Sequence, residues 1–221
     1  ARCGIDPVGT GFSHTVGDTK GEEYWVVTKD AKSVAAVIRK WLDENGRWNS
    51  PKFLGGESYG TTRSAAVVNE LEGAYNDVAL NGVILISTVL DFGAGAETEG
   101  AELGYITTLP TMAVTAQFHG KAGAGLTPAA FAEEARQFAI GPYAAFLLKG
   151  QKAPADERAA VRRELARLTG LSEAYLDRAD LRVSSGRFYK ELLRDRGLTV
   201  GRLDGRYTGR DYDMAGETPD N

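Results

Sequence analysis

The spacing of apolar residues predicts alternating helices and strands in the first ninety residues. A helix from about Thr28 to Glu44 is predicted by one apolar face, at Val34, Val37, Ile38, Trp41 and Leu42. A short buried strand at residues 51–55 and a helix from about Gly60 through Tyr75 follow. Residues 82–89 are β-branched and continuous, which predicts a buried strand. This order favours a parallel sheet of βαβ units.

The pattern changes after Asp91. Residues 92–100 are rich in glycine and read as a loop, and residues 101–196 show only helical patterns. Thr127-Pro128 is a typical helix start, and Gly141-Pro142 should break or kink that helix. We therefore expect an α/β core at 1–91, a helical cap insertion at 92–200, and a loop at 201–221 leading towards further core.

Composition excludes several classes of protein. The net charge of −4 over 221 residues makes nucleic acid a poor candidate for the main partner. No apolar run reaches the roughly 18 residues that a membrane span needs. Cys3 is the single cysteine, so an internal disulfide is impossible, and we interpret it as a small strand residue. The sequence has no paired Cys/His spacing, so we expect no metal or other cofactor.

Gly56-Glu57-Ser58-Tyr59-Gly60 fits the G-x-S-x-G pattern of a nucleophile elbow. A predicted strand precedes it and a predicted helix follows it, as that turn requires. Ser58 would attack a carbonyl, and the backbone N–H of Tyr59 would donate to the oxyanion at the positive end of the helix. Small residues at 56 and 60 would let the turn close. The alternative is a tight β–α turn with an incidental serine.

The same motif, with the segment Asp6-Pro7-Val8-Gly9-Thr10-Gly11-Phe12-Ser13 some forty residues before it, resembles the serine carboxypeptidases, the family of carboxypeptidase Y and cathepsin A, in its bacterial branch. The resemblance implies an α/β-hydrolase fold with a helical cap and release of C-terminal amino acids from peptides without a cofactor. It implies that Glu57 binds the substrate's free C-terminal carboxylate, which favours acidic pH, and that residues 6–13 lie near the substrate groove. Such enzymes are exported or lysosomal, so a secreted or periplasmic location is expected.

The histidine base and its acid partner are not evident. His14 precedes the nucleophile, whereas this fold has the order Ser, Asp/Glu, His. His119 follows Ser58 but falls at a predicted helix end, where it can cap the last carbonyls. The carboxylate placed best after a strand is Asp91; three others, which read as loop residues, are Asp204, Asp211 and Asp213. We therefore expect the chain to be an internal piece of the enzyme, with little turnover alone and an unpaired sheet edge.

Two other functions stay open on the sequence. The same fold could serve an esterase or acyltransferase, which would transfer the acyl group to another acceptor. A binding protein could also keep the elbow after losing its triad, and the lack of a usable histidine is the feature that favours it.

Overall fold

The computed structural model describes residues 3–73, 78–95, 97, 98 and 100–219. It is a mixed α/β protein with two compact units, residues 1–91 and 92–221, each with its own hydrophobic core. In the described ranges, no helix is both long and apolar enough to cross a bilayer.

The first unit consists of two helices and two parallel strands. A 3₁₀ turn at Gly21–Tyr24 precedes helix α1 (Val27–Asn45), strand β1 (Phe53–Glu57), helix α2 (Tyr59–Glu72) and strand β2 (Gly82–Ile86). Helix α1 ends where Asn45-Gly46 predicts, with Gly46 at φ 59°. Strands β1 and β2 pair in parallel from Phe53↔Gly82 to Glu57↔Ile86. The predicted end of the second helix, Tyr75, lies outside the described residues.

Helices α1 and α2 pack against each other through small and branched apolar side chains. Leu54 of β1 packs against this core, as do Ile5, Ile38 and Trp41. The buried members of the core are Ala31, Val34, Ala35, Leu42, Val67, Leu71 and Val78. This packing fixes the position of α2 relative to β1, and therefore the geometry of the turn between them.

Four expectations for the first unit are wrong. Strand β1 is not a buried strand, since Phe53 is largely exposed, and the side chains of β2 from Val83 to Ile86 are 44–56% exposed. Among the described residues this sheet has only two strands, β1 and β2. The helices cover part of it, and the rest of its surface is open. Strand β2 ends at Ile86, short of the predicted Val89. Cys3 is exposed and lies in irregular chain, so it is not a strand residue.

The second unit is mainly helical. Its helices are α3 (Glu102–Phe118), α4 (Pro128–Phe138), α5 (Ala144–Lys149), α6 (Ala155–Thr169), α7 (Glu173–Arg178) and α8 (Ser185–Glu191). Thr127 caps α4, because its hydroxyl accepts a hydrogen bond from the Ala130 N–H. A π-helical turn at Ala139–Tyr143 contains Pro142 and separates α4 from α5, as Gly141-Pro142 predicts for a break in the helix.

The core of the second unit lies between α3 and the helices that follow it. Its largest fully buried apolar side chains include Phe131, Phe146, Phe188 and Leu168. The Tyr143 hydroxyl donates to the carbonyl of Leu181 at 2.6 Å, and burial raises the pKa of Tyr143 well above its usual value. Because this hydrogen bond satisfies the Tyr143 hydroxyl, the aromatic ring can be buried in the apolar core without an unpaired polar group.

The end of the chain is held against α8 by cationic side chains. Residues 199–209 form a short hairpin of strands β3 (Thr199–Val200) and β4 (Thr208–Gly209). The sequence predicts no strand here, since residues 199 and 200 fall in the expected helical insertion and 201–209 in the expected loop. The fully buried Lys190 ammonium then binds the Asp211 carboxylate at 2.6 Å and the Asp213 carbonyl. Arg194 donates to the carbonyls of Met214 and Gly216. These bonds order a segment that has little apolar content.

Breaking the buried Lys190–Asp211 pair should lower the free energy of unfolding much more than breaking a more exposed ion pair. Lys190→Met would take the cation from a carboxylate whose side chain is 10% exposed, so we expect a loss of about 3–5 kcal/mol in the free energy of unfolding. Lys149→Met removes a pair with Glu157 whose side chains are 49% and 26% exposed, so it should cost less than about 1 kcal/mol. Urea unfolding followed by far-UV circular dichroism measures both, and equal losses would contradict this account.

Candidate active site

Ser58 occupies a strained turn between β1 and α2. Its backbone has φ 54° and ψ −122°, a conformation that residues with a Cβ atom rarely adopt. Strand β1 ends at Glu57 and α2 begins at Tyr59, so Ser58 is the single residue that reverses the chain. Ser58 is exposed. A strained and exposed serine at a strand–helix junction is the geometry that the G-x-S-x-G pattern predicts.

Three hydrogen bonds hold the Ser58 backbone in this conformation. Its N–H donates to the carbonyl of Ile86 at 2.9 Å, which extends the β1–β2 pairing by one residue. Its carbonyl accepts from the N–H of Thr61 at 2.9 Å and from the Thr61 hydroxyl at 2.7 Å. The same hydroxyl oxygen accepts from the Val89 N–H at 3.2 Å. Thr61 thus connects the turn to the chain that follows β2.

Gly56 is required by the close approach of α2 to the end of β1. A Cβ atom at residue 56 would lie 2.0 Å from the Gly60 carbonyl oxygen and 2.7 Å from the Ser64 hydroxyl oxygen. The Ser64 hydroxyl already donates to that Gly60 carbonyl, so neither atom can move cheaply. At Gly60, by contrast, a Cβ atom would meet nothing within 4 Å. The expectation that the turn needs a small residue is confirmed at 56 and is wrong at 60.

Glu57 and Tyr59 flank the serine with different surroundings. Glu57 is exposed and lines a groove of about 730 Å³ along β1, together with Pro7 of the segment 6–13, Arg63 and Ser64. Tyr59 is partly buried and is the first residue of α2, so its backbone N–H lies at the positive end of the helix dipole. An anion that forms on a substrate beside Ser58 would meet this end of the helix.

An ion pair that the sequence does not reveal lies directly behind the elbow. The Arg63 Nε donates to the Asp30 carboxylate at 2.7 Å, and the Asp30 side chain is 7% exposed. The Arg63 guanidinium carbon also lies 5.0 Å from the centre of the Tyr59 ring. Asp30 stands in the first turn of α1, 33 residues before Arg63, and no motif links the two positions.

The segment Asp6–Ser13 is closed by its own hydrogen bonds. The Asp6 carboxylate accepts from the Phe12 N–H at 3.1 Å, and the Gly9 N–H donates to the Ser13 carbonyl at 2.9 Å. Gly11 has φ 51°, and a Cβ atom there would lie 2.2 Å from an Asp6 carboxylate oxygen. The turn-rich pattern of the sequence therefore corresponds to a compact loop in which glycine is required at 11.

Among the described residues of the first unit, His14 does not hydrogen-bond to Ser58. His14 is exposed, and His119 donates from Nε2 to the Gly205 carbonyl at 2.7 Å. The His119 backbone N–H also donates to the Thr115 carbonyl, so this residue ends α3 as predicted, but its ring does not cap the last carbonyls of the helix. The His119 ring therefore connects the end of α3 to the loop between β3 and β4, which gives this residue a structural role within the second unit.

The candidate acids Asp204, Asp211 and Asp213 have local partners within the second unit. The Arg206 guanidinium holds the pKa of Asp204 at about 2, because it donates to that carboxylate from several nitrogens. Asp211 binds Lys190, and the Asp213 carboxylate accepts from the Ala215 N–H at 2.8 Å. Asp91 is exposed after β2. Within the described residues, no group of three or more His, Cys, Asp or Glu could hold a metal ion.

Comparison of the chain with protein-family models, with curated proteins and with solved structures gave no match. The class of the protein is therefore described from its own fold and from the geometry of the site. It is a mixed α/β protein in which a parallel strand–turn–helix–strand unit presents a strained serine.

The close contacts at Gly56 and the open space at Gly60 predict different losses of stability for the two glycine-to-alanine substitutions. Gly56→Ala should lower the free energy of unfolding of the first unit by about 3 kcal/mol or more, because the new methyl group collides with the α2 backbone. Gly60→Ala should stay within about 1 kcal/mol of the parent protein. All three tryptophans, Trp25, Trp41 and Trp48, lie in the first unit, so urea unfolding followed by tryptophan fluorescence measures both. Equal effects would contradict the predicted collision.

The strain at Ser58 predicts that glycine is the more stable replacement there. Ser58→Gly removes the Cβ atom that disfavours φ 54°, whereas Ser58→Ala keeps it, so the glycine variant should be more stable by about 1 kcal/mol. Ser33 in α1 is the control, because at an ordinary helical position the alanine variant should be more stable by about 1 kcal/mol. The same fluorescence measurement applies. The same order of stability at both positions would show that Ser58 is unstrained.

Proposed function

We propose that the chain carries the nucleophile of a serine carboxypeptidase with an α/β-hydrolase fold. The observation that carries the proposal is the Ser58 conformation, since this strain is costly and functional sites are where such costs are retained. The parallel β1–α2–β2 unit and the exposed serine support a hydrolase elbow rather than an incidental turn. In this proposal, the helical second unit is the cap.

The reaction proceeds through an acyl-enzyme. The Ser58 oxygen attacks the carbonyl carbon of the last peptide bond, its proton passes to a histidine base, and the backbone N–H of Tyr59 donates to the resulting oxyanion. Collapse expels the C-terminal amino acid, whose nitrogen takes that proton. Water then attacks the acyl carbon, gives its proton to the base, and Ser58 recovers the proton when the ester bond breaks. No cofactor takes part in these steps.

We assign the histidine base and its acid to polypeptide outside these 221 residues. His119 is engaged with Gly205, and the Asp204, Asp211 and Asp213 carboxylates have local partners. The isolated chain should therefore hydrolyse substrates slowly or not at all, since most activation of the serine depends on the base. A secreted or periplasmic site of action fits the proposed family.

Glu57 is the proposed ligand for the C-terminal carboxylate of the substrate. It is exposed, lies next to Ser58, and lines the groove along β1. Two ionised carboxylates repel at hydrogen-bond distance, so the pair must share a proton. Because lowering the pH supplies that proton, binding of a peptide with a free C-terminus should strengthen as the pH falls.

A non-catalytic binding protein is the second candidate, favoured because His14 precedes the nucleophile in the chain and His119 bonds to Gly205 within the second unit. Such a protein would still bind a peptide C-terminus through Glu57 but would release no amino acid. An esterase or acyltransferase would instead turn over esters without preferring a free carboxylate.

The test uses the protein expressed from its natural gene, with an N-blocked dipeptide and an ester of the same acyl group as substrates. We expect release of the free C-terminal amino acid, faster at acidic pH, and loss of about 10⁴-fold or more in kcat for Ser58→Ala. Glu57→Gln should lower peptide hydrolysis about 10- to 100-fold more than ester hydrolysis and flatten the pH dependence.

The outcomes separate the candidates. Turnover that survives in Ser58→Ala would overturn the nucleophile assignment, and equal losses on both substrates in Glu57→Gln would overturn the carboxylate role. Binding of the dipeptide without any release of amino acid would favour the non-catalytic function.

A further inference from the structure

A buried carboxylate fixes the Arg63 side chain behind the elbow. The Asp30 side chain is 7% exposed and accepts from Arg63 Nε at 2.7 Å, while the Arg63 side chain is 26% exposed. A charge-assisted bond in such a sheltered place is stronger than a surface pair and is screened less by salt. Since Asp30 belongs to α1, the guanidinium of Arg63 is held by a helix other than its own.

The same guanidinium lies against Tyr59. Its central carbon is 5.0 Å from the ring centre, within the range of a cation–π contact, and the two residues are one helical turn apart on α2. The chain Asp30–Arg63–Tyr59 therefore runs from α1 to the residue that follows Ser58.

We infer that Arg63 is a positioning residue, which, fixed by Asp30, holds Tyr59 and its backbone N–H where an oxyanion forms beside Ser58. The inference rests on the proposed function, because an oxyanion donor matters only if Ser58 is acylated. A donor displaced by a fraction of an ångström stabilises the transition state less while substrate binding is unchanged. Loss of Arg63 should therefore lower the rate constant of acylation, while the dissociation constant of a substrate without a free carboxylate changes little.

Arg39 provides a matched control, because it also connects α1 to α2. Its Nη2 donates to the Glu70 carbonyl at 2.6 Å, near the far end of α2 from Ser58. If Arg63 only ties the two helices together, Arg39→Met and Arg63→Met should act alike. If Arg63 positions Tyr59, only Arg63→Met should slow the chemistry.

The experiment measures the pre-steady-state acylation burst with a chromogenic ester in the protein expressed from its natural gene. We expect Arg63→Met to slow acylation roughly 3- to 30-fold, with little change in the ester dissociation constant obtained from the concentration dependence of the burst rate, Arg63→Lys to recover part of the loss, and Arg39→Met to acylate at the parental rate. Tyr59→Leu should also slow acylation, and the Arg63→Met/Tyr59→Leu double variant should be no slower than the slower single variant. Far-UV circular dichroism and urea unfolding of each variant show whether it is folded.

Parental acylation rates in Arg63→Met would overturn the inference, and so would equal losses in Arg39→Met or additive losses in the double variant. These outcomes leave the proposed function intact, provided that Ser58→Ala abolishes the burst. A parent protein without a Ser58-dependent burst would overturn the proposed function, and the inference with it, before any Arg63 variant is compared.

Discussion

The left-handed backbone of Ser58 is the constraint on which the rest of the first unit depends. A residue with a Cβ atom in such a conformation costs about 1–3 kcal/mol, and it persists only where its surroundings determine it fully. Here the Ile86 carbonyl and Thr61 hold the backbone on both sides, and the missing side chain at Gly56 lets α2 approach. Changing the β1–β2 register would remove the Ile86 bond, so the parallel pairing and the turn specify each other.

Buried ion pairs perform a related task at two places in the chain. Asp30–Arg63 joins the first turn of α1 to α2 behind the elbow, and Lys190–Asp211 joins α8 to the end of the chain. Lys190–Asp211 holds a segment that has little apolar content, and Asp30–Arg63 adds a directional contact to two helices that already share an apolar core. Exposed pairs such as Lys149–Glu157 carry no comparable penalty and specify little.

The elbow could be predicted from the sequence because its requirements are local. Strand, glycine, serine and helix follow within ten residues, and the Asn45-Gly46 helix end and the Thr127 cap are equally local. Asp30–Arg63 spans 33 residues, and a charged residue on a helix has many conceivable partners, so the pattern gives no sign of the pair. The β3–β4 hairpin could not be predicted for another reason: strands of two residues are too short to show alternation of polar and apolar positions.

The apolar residues of β2 bear on the proposed fold. Strands of a parallel sheet are usually apolar throughout because helices cover both faces and neighbouring strands both edges. Strand β2 has that composition, yet Val83, Ile84, Leu85 and Ile86 are each about half exposed. An exposed apolar strand of this kind would readily pair with another chain. Its composition therefore fits a strand from the middle of a larger parallel sheet, which is where the α/β-hydrolase proposal places the strand that follows the nucleophile helix.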